Sequence, residues 1–426
     1  ICTLRAAIQE ANALTACAPF TINFSALFNA AQTINLGTAL PALDHPNLTI
    51  NGTGANLVTV QRNAVANFRI FAVNAARTVV INGLTITGGN VVGDGGGILN
   101  SGTLTLVGCQ IAANTASQFG GGIFNTGGTL TINESAITGN TANDNQTGGG
   151  VDATGSALTA RNTTFSGNTA PGNGSAGGVM AFASNATFTN CTFSDNEAAA
   201  GSGGVRGDSS ATLTFRNCLI AANRNNTTVP DVGFTVGTTF TSNGFNLIGN
   251  VGTVTAFNQA GDQTGTGANP RNPLITVLQN NGGPTSTHAL LPGSTAINAG
   301  TNTGAPATDQ RGIARPQQTT TDIGAYESRG FTLAIVSGNN QSTQINAAFA
   351  NPLVASVTSA NGEPVNGGRV TFTPPGAGAS AVLTGSPATI AGGQASVNAT
   401  ANATVGGPYN VAANASGAAA AGNFAL

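Results

Sequence analysis

Leu104-Thr105-Leu106-Val107-Gly108-Cys109-Gln110-Ile111-Ala112-Ala113-Asn114-Thr115 is rewritten after a Gly-rich gap as Leu130-Thr131-Ile132-Asn133-Glu134-Ser135-Ala136-Ile137-Thr138-Gly139-Asn140-Thr141. Further versions run from Leu158 to Thr169, from Ala186 to Glu197 and from Leu213 to Arg224. Short β-rich runs, broken by Gly and Asn at a constant period, are the mark of stacked repeats that bury a continuous core only together. Stacking the repeats sets Asn114, Asn140, Asn168, Asn196, Asn223 and Asn250 in one column, at intervals of 26, 28, 28, 27 and 27 residues. In a right-handed parallel β-helix such residues lie about 4.8 Å apart, so their amides can hydrogen-bond as a ladder.

A second column, Cys109, Ser135, Thr163, Cys191 and Cys218, stands two positions before Ile111, Ile137, Phe165, Phe193 and Ile220. Alternation along a strand places both columns inside, where the thiols act as small apolar groups. Cys191 and Cys218 are one coil apart, which makes them the weaker of two disulfide candidates; Cys2 and Cys17, which bracket a short helical stretch, are the stronger. Leu104, Leu130, Leu158 and Leu213 supply core, while Thr105, Thr131, Thr159, Thr187 and Thr214 form an outward column of β-formers. The Gly runs at 95–97, 120–122 and 148–150 read as sharp corners, since no helix follows that could receive a phosphate.

Residues 3–14 place Leu4, Ala7, Ile8, Ala11 and Leu14 on one helical face, which suits a lid over the open first coil. Strand-like runs fill Phe20 to Ile81. Beyond Asn250 the period fades, and rare charges gather in Asp309-Gln310-Arg311-Gly312-Ile313-Ala314-Arg315-Pro316 and Asp322-Ile323-Gly324-Ala325-Tyr326-Glu327, read as a closure of the solenoid held by local ion pairs. From Phe331 strands recur every 8 to 12 residues or so with hairpin signals such as Asn361-Gly362, the pattern of a sandwich. The expected organisation is therefore a cap over 1–20, a β-helix of about nine coils over 21–328 with its closure at about 251–328, and a sandwich over 331–426.

The chain of 426 residues has only 7% charged residues, a formal net charge of -2, 60 glycines and no lysine. No basic stripe is available for nucleic acid, and no run is long and apolar enough to enter a membrane. Without lysine, Lys-Asn isopeptide cross-links are excluded. Ile1 opens without the charged and apolar regions of a signal peptide, so a targeting segment is expected to have been removed, or the chain to be part of a longer one. Asn423-Phe424-Ala425-Leu426 resembles the opening Phe331-Thr332-Leu333, which leads to the expectation of further tandem modules.

Cys2-Thr3-Leu4-Arg5-Ala6-Ala7-Ile8-Gln9-Glu10-Ala11-Asn12 resembles the Cys-Ser-Leu-Arg-Glu-Ala-type motif of bacterial secreted β-helix proteins, and the Gly-Gly-Gly-Ile coils resemble their outer-membrane-protein-like repeats. Asn281-Gly282-Gly283-Pro284-Thr285, His288 to Ser294, Asp309 to Gly312 and Asp322 to Glu327 resemble the choice-of-anchor Q domain. Gly338-Asn339-Asn340-Gln341 and Ala348 to Leu353 resemble bacterial Ig-like modules of the invasin and intimin kind. These likenesses imply a secreted or cell-surface protein and bring no catalytic residues with them.

Three sharper readings compete with scaffold roles. Asp195, Glu197 and Asp208 are the nearest approach to the carboxylate cluster that a glycan lyase or hydrolase needs, or that would hold a cation. Arg206-Gly207-Asp208 spells an integrin-recognition tripeptide, set in what should be a stiff corner. Sequons at Asn47, Asn162, Asn185 and Asn226 follow from an Asn/Thr-rich composition. The expectation is an extracellular, non-enzymatic stalk or filament subunit without metal or cofactor, whose partners are copies of itself or cell-surface and matrix components. The alternatives are a surface adhesin for a glycan or host ligand, and a polysaccharide-active β-helix enzyme.

Overall fold

A computed structural model describes residues 3–14, 19–145, 147–172, 175–224 and 229–426. Residues 20–264 wind into a right-handed parallel β-helix. Its first sheet stacks nine strands from Phe20–Asn23 to Thr239–Ser242, its second ten from Gln32–Leu36 to Gln263–Thr264, and its third seven from Phe71–Val73 to Val232–Phe234. Nine strands in one sheet are separated by eight turns, close to the expected nine coils. The repeats stack in register: Leu104 pairs with Leu130, Leu130 with Leu158, and Ile111 with Ile137.

Successive passages from the first to the second sheet turn on one residue in the left-handed region, Gly108, Glu134, Asn162, Asn190 and Asn217, and all but Glu134 are the Gly or Asn that this region favours. Gly95 and Gly120 open their runs at the positive φ expected of a corner, 62° and 64°, and the glycines after them have a second cause. Gly121 and Gly122 do not have positive φ; a Cβ on Gly121 would stand 2.4 Å from Thr141 O, and one on Gly122 would stand 2.7 Å from Gly150 O. Coil-to-coil proximity excludes side chains there.

Helix α1 (Leu4–Ala13) is capped by Thr3, whose hydroxyl accepts from Ala6 N at 3.2 Å. Leu4, Ile8 and Ala11 join the core above Ile22 and Leu36. Asn12 accepts from Asp44 N and donates to Ala42 O, tying the helix to the first turn. Leu14, expected on the apolar face, lies past the helix end and is 38% exposed. At the other end Phe257 covers the core, its ring 5.5 Å from that of Phe215.

The closure is lateral. Residues 273–328 lie along the outer face of the second sheet: Asn162 Nδ2 donates to Thr308 O at 2.7 Å, Thr164 Oγ1 to Gln310 Oε1 at 2.6 Å, and Ala325 N to Thr192 Oγ1 at 2.9 Å. The sandwich comprises two antiparallel four-stranded sheets, one built around Leu353–Thr358 and Gln394–Ala401, the other around Arg369–Thr373 and Asn410–Asn414. Asn361-Gly362 is not a hairpin turn, because the strands on either side of it belong to different sheets. A second apolar core runs without interruption from Leu219 and Leu247 of the solenoid through Leu290, Ile297 and Tyr326 to Leu353, Phe372 and Phe424 of the sandwich.

Candidate functional site

The Asn column forms a continuous ladder of buried amides. Nδ2 of Asn114 donates to Oδ1 of Asn140 at 3.0 Å, Asn140 to Asn168 at 2.9 Å, Asn168 to Asn196 at 2.8 Å, and Asn196 to Asn223 at 2.8 Å. Each Oδ1 also accepts the backbone N–H of the preceding rung, at 3.1 or 3.2 Å. The second Nδ2 proton reaches back to the preceding coil, as from Asn168 to Ile137 O at 2.8 Å. The residue before each rung, Ala113, Gly139, Gly167, Asp195 or Ala222, has positive φ, and this turns the amide inward. Every polar atom of a buried amide thereby finds a partner.

Asn250 is not the next rung. Asp231 takes that place: its Oδ1 accepts from Asn223 Nδ2 at 2.8 Å and from Asn223 N at 2.9 Å, and its Oδ2 accepts from Asn250 N. Asn250 Nδ2 turns instead to Val229 O. Burial pushes the Asp231 carboxyl up to about 6 against the pull of these donors. A second inner ladder, invisible as a simple period, links Asn100 Nδ2 to Asn125 Oδ1 at 2.6 Å and Asn125 Nδ2 to Ser156 Oγ at 2.9 Å.

Cys109, Ser135, Thr163, Cys191 and Cys218 are all fully buried. The Cys191–Cys218 disulfide is not formed. Both thiols are free, Cys191 Sγ donating to Ala160 O at 3.4 Å and Cys218 Sγ to Arg216 O at 3.3 Å. In-register parallel neighbours sit a strand spacing apart with side chains aligned, farther than the roughly 3.8 Å between Cβ atoms that a disulfide needs. Burial also raises the Cys109 thiol to about 11, so it stays protonated. Cys2 and Cys17, like the Asn226 sequon, lie outside the described residues.

The tripeptide Arg206-Gly207-Asp208 occupies a strand, Val205–Asp208, not a projecting loop. Arg206 and Asp208 share a face and pair with each other, Nε lying 3.2 Å from each carboxylate oxygen, and Asp208 is only 5% exposed. Asp195 is turned toward Arg224 at 3.2 Å, so Asp195, Glu197 and Asp208 do not converge. Among the described residues no three His, Cys, Asp or Glu side chains approach closely enough to hold a metal ion.

The charges gathered at 309–327 form an interior lock. Arg311 meets Asp309 at 2.7 Å and Arg315 meets Glu327 at 2.6 Å, with all four side chains at most 1% exposed. The Arg311 guanidinium also stacks on Tyr326, 3.5 Å from its ring centroid. Asp322 lies beside them, its carboxyl pushed well up by burial and then by the Glu327 charge. The lock continues into the sandwich through Glu363, which accepts from Tyr326 Oη at 2.9 Å, Ser328 Oγ at 3.0 Å and Arg329 N.

One dyad went unseen in the sequence because its members are 122 positions apart: His288 Nε2 accepts from Ser166 Oγ at 2.9 Å while Nδ1 donates to Thr276 O at 2.7 Å. Burial lowers the His288 pKa and keeps the ring neutral. Ser166 is 2% exposed beneath the closure, so the geometry of an activated hydroxyl serves here as a joint.

Residues 120–264 match the family model described as a right handed beta helix region, in agreement with the coils. No curated protein matches the chain.

Proposed function

We propose that this parallel β-helix protein is an extracellular, non-enzymatic stalk or filament subunit, exported to a bacterial surface, in which the β-helix serves as a stiff spacer. The observation that carries the reading is the joint at Glu363. Solenoid flank, closure and sandwich share one apolar core, and the Tyr326, Ser328 and Arg329 contacts fasten its edge. Nine stacked strands alone extend roughly 40 Å at the usual strand spacing. The likeness of 281–327 to a choice-of-anchor Q domain and of 331–426 to an Ig-like module fits this role, since the characteristic charged residues of the former form an interior lock. The partners proposed are further copies of the chain and components of the cell surface or matrix. Electron microscopy of purified protein is expected to show rods that associate end to end. Release of reducing or unsaturated ends from pectins, alginates or glycosaminoglycans would replace this reading with that of a glycan-cleaving enzyme.

A further inference from the structure

Arginine is the only strongly basic residue in the chain, at 13 positions. Ten of the 13 are committed. Arg77, Arg206, Arg224, Arg311, Arg315 and Arg329 pair with carboxylates. Arg5, Arg62, Arg69 and Arg216 donate to backbone carbonyls. Among the described residues the three arginines without a side-chain partner are Arg161, Arg271 and Arg369, and two of these line the same cleft. That cleft, of about 470 Å³, lies between residues 264–274, residues 293–295 and one sheet of the sandwich.

Its walls are fixed across the junction by Arg369 N donating to Pro292 O at 2.8 Å and Gly293 N to Ser416 O at 3.1 Å. No carboxylate lines it among the described residues; the polar lining besides the two arginines is amide and hydroxyl, including Asn269, Asn272, Thr295 and Asn414. Arg271 Nε is buried without a hydrogen-bond partner, as are the Nε atoms of Arg216, Arg315 and Arg329, but of these four only Arg271 has no other side-chain partner. A desolvated donor is costly unless something supplies an acceptor, and planar guanidinium forks match carboxylate and sulfate oxygens. The volume falls within the range of about 300–1,000 Å³ typical of small-ligand sites.

We infer that this cleft binds an anionic saccharide unit, a uronic acid or sulfated sugar, with Arg271 and Arg369 on the anionic group and the Asn and Thr side chains on its hydroxyls. The amide and hydroxyl lining favours a sugar over an acidic peptide. The site stands on the cleft alone and does not depend on whether the rods form filaments.

The test is calorimetric titration of the full chain with oligogalacturonate, heparin oligosaccharide, neutral dextran and poly-glutamate at low salt. At least one anionic sugar should bind, the arm that binds identifying carboxylate or sulfate, while dextran and poly-glutamate bind at least about tenfold more weakly. Arg271→Gln and Arg369→Gln should each weaken binding about tenfold or more, the effect of losing a charge-assisted hydrogen bond. Arg161→Gln, which removes an equally unpartnered arginine outside the cleft, should leave binding unchanged. Arg369 is exposed, so its variant tests the site even if Arg271→Gln perturbs folding. Failure of both anionic sugars to bind, equal binding of dextran or poly-glutamate, or an equal loss in Arg161→Gln would overturn the assignment.

Discussion

The outer faces of the first and second sheets are built from much the same residues and differ in what lies over them. On the first sheet Thr105, Thr131, Thr159, Thr187 and Thr214 form the expected column, which the structure extends to Thr21, Thr49 and Thr241, broken only by Val80. Beside it runs a second, partial column of Thr78, Thr103, Thr129, Thr212 and Thr239, which a single-column reading missed. All of these remain wholly or partly open to solvent. On the second sheet Thr138, Thr164, Ser166, Thr192 and Ser194 are at most 6% exposed, because residues 273–328 lie over them. The same hydroxyl is a solvated β-former on one face and a buried joint on the other; what decides is the partner brought to it from far along the chain.

The largest loss of stability is expected inside the lock. Arg315→Ala would leave Glu327 and Asp322 buried without their cation and should cost about 3–5 kcal/mol, read from chemical denaturation; a loss under about 1 kcal/mol would place the pair at the surface energetically. Next, Asn168→Leu removes the acceptor of Asn140 and the donor to Asn196, two rungs together, and should cost about 2–4 kcal/mol, while an unchanged melting temperature would count against the ladder. His288→Ala strands Ser166 under the closure and is expected to cost about 1–3 kcal/mol, and the same joint should be insensitive to salt.

A pH effect of intermediate size comes from Asp152 on the third sheet. It is fully buried, accepts from Gly148 N at 3.2 Å and Thr154 Oγ1 at 2.9 Å, and burial raises its carboxyl to about 7. The folded state therefore holds this proton more tightly than the unfolded chain. Stability contributed by the protonated carboxyl is present at low pH and is lost as pH rises from the ordinary carboxylate range through about 7. Asp152→Asn should flatten that decline in melting temperature; an identical slope in the variant would assign it elsewhere. The smallest effect belongs to the open face, where Thr131→Val or Thr187→Val should change stability by no more than about 0.5 kcal/mol.

Much of the solenoid was legible because a stacked coil repeats its demands at a fixed interval, so Ile111, Ile137 and Phe165 announce one inward position and the Asn column one turn. Legibility ended where partners are not periodic. Asp231 replaces Asn250 as the last rung from only eight positions beyond Asn223, outside the period. The closure was recognisable by its charges, yet its lateral seat depends on pairs such as Thr164 with Gln310, 146 positions apart, which no local pattern encodes. The Arg206-Gly207-Asp208 triplet shows the converse: a legible motif whose side chains satisfy each other in a strand. The Arg271 and Arg369 cleft could not be read at all, since it exists only where closure and sandwich meet.

Whether solenoid, closure and sandwich melt as one mechanical unit can be read from scanning calorimetry of the full chain and of Glu363→Ala. We expect one cooperative transition in the parent and its separation into two in the variant, with the sandwich melting first. Two independent transitions in the parent, unaltered by Glu363→Ala, would contradict a single unit.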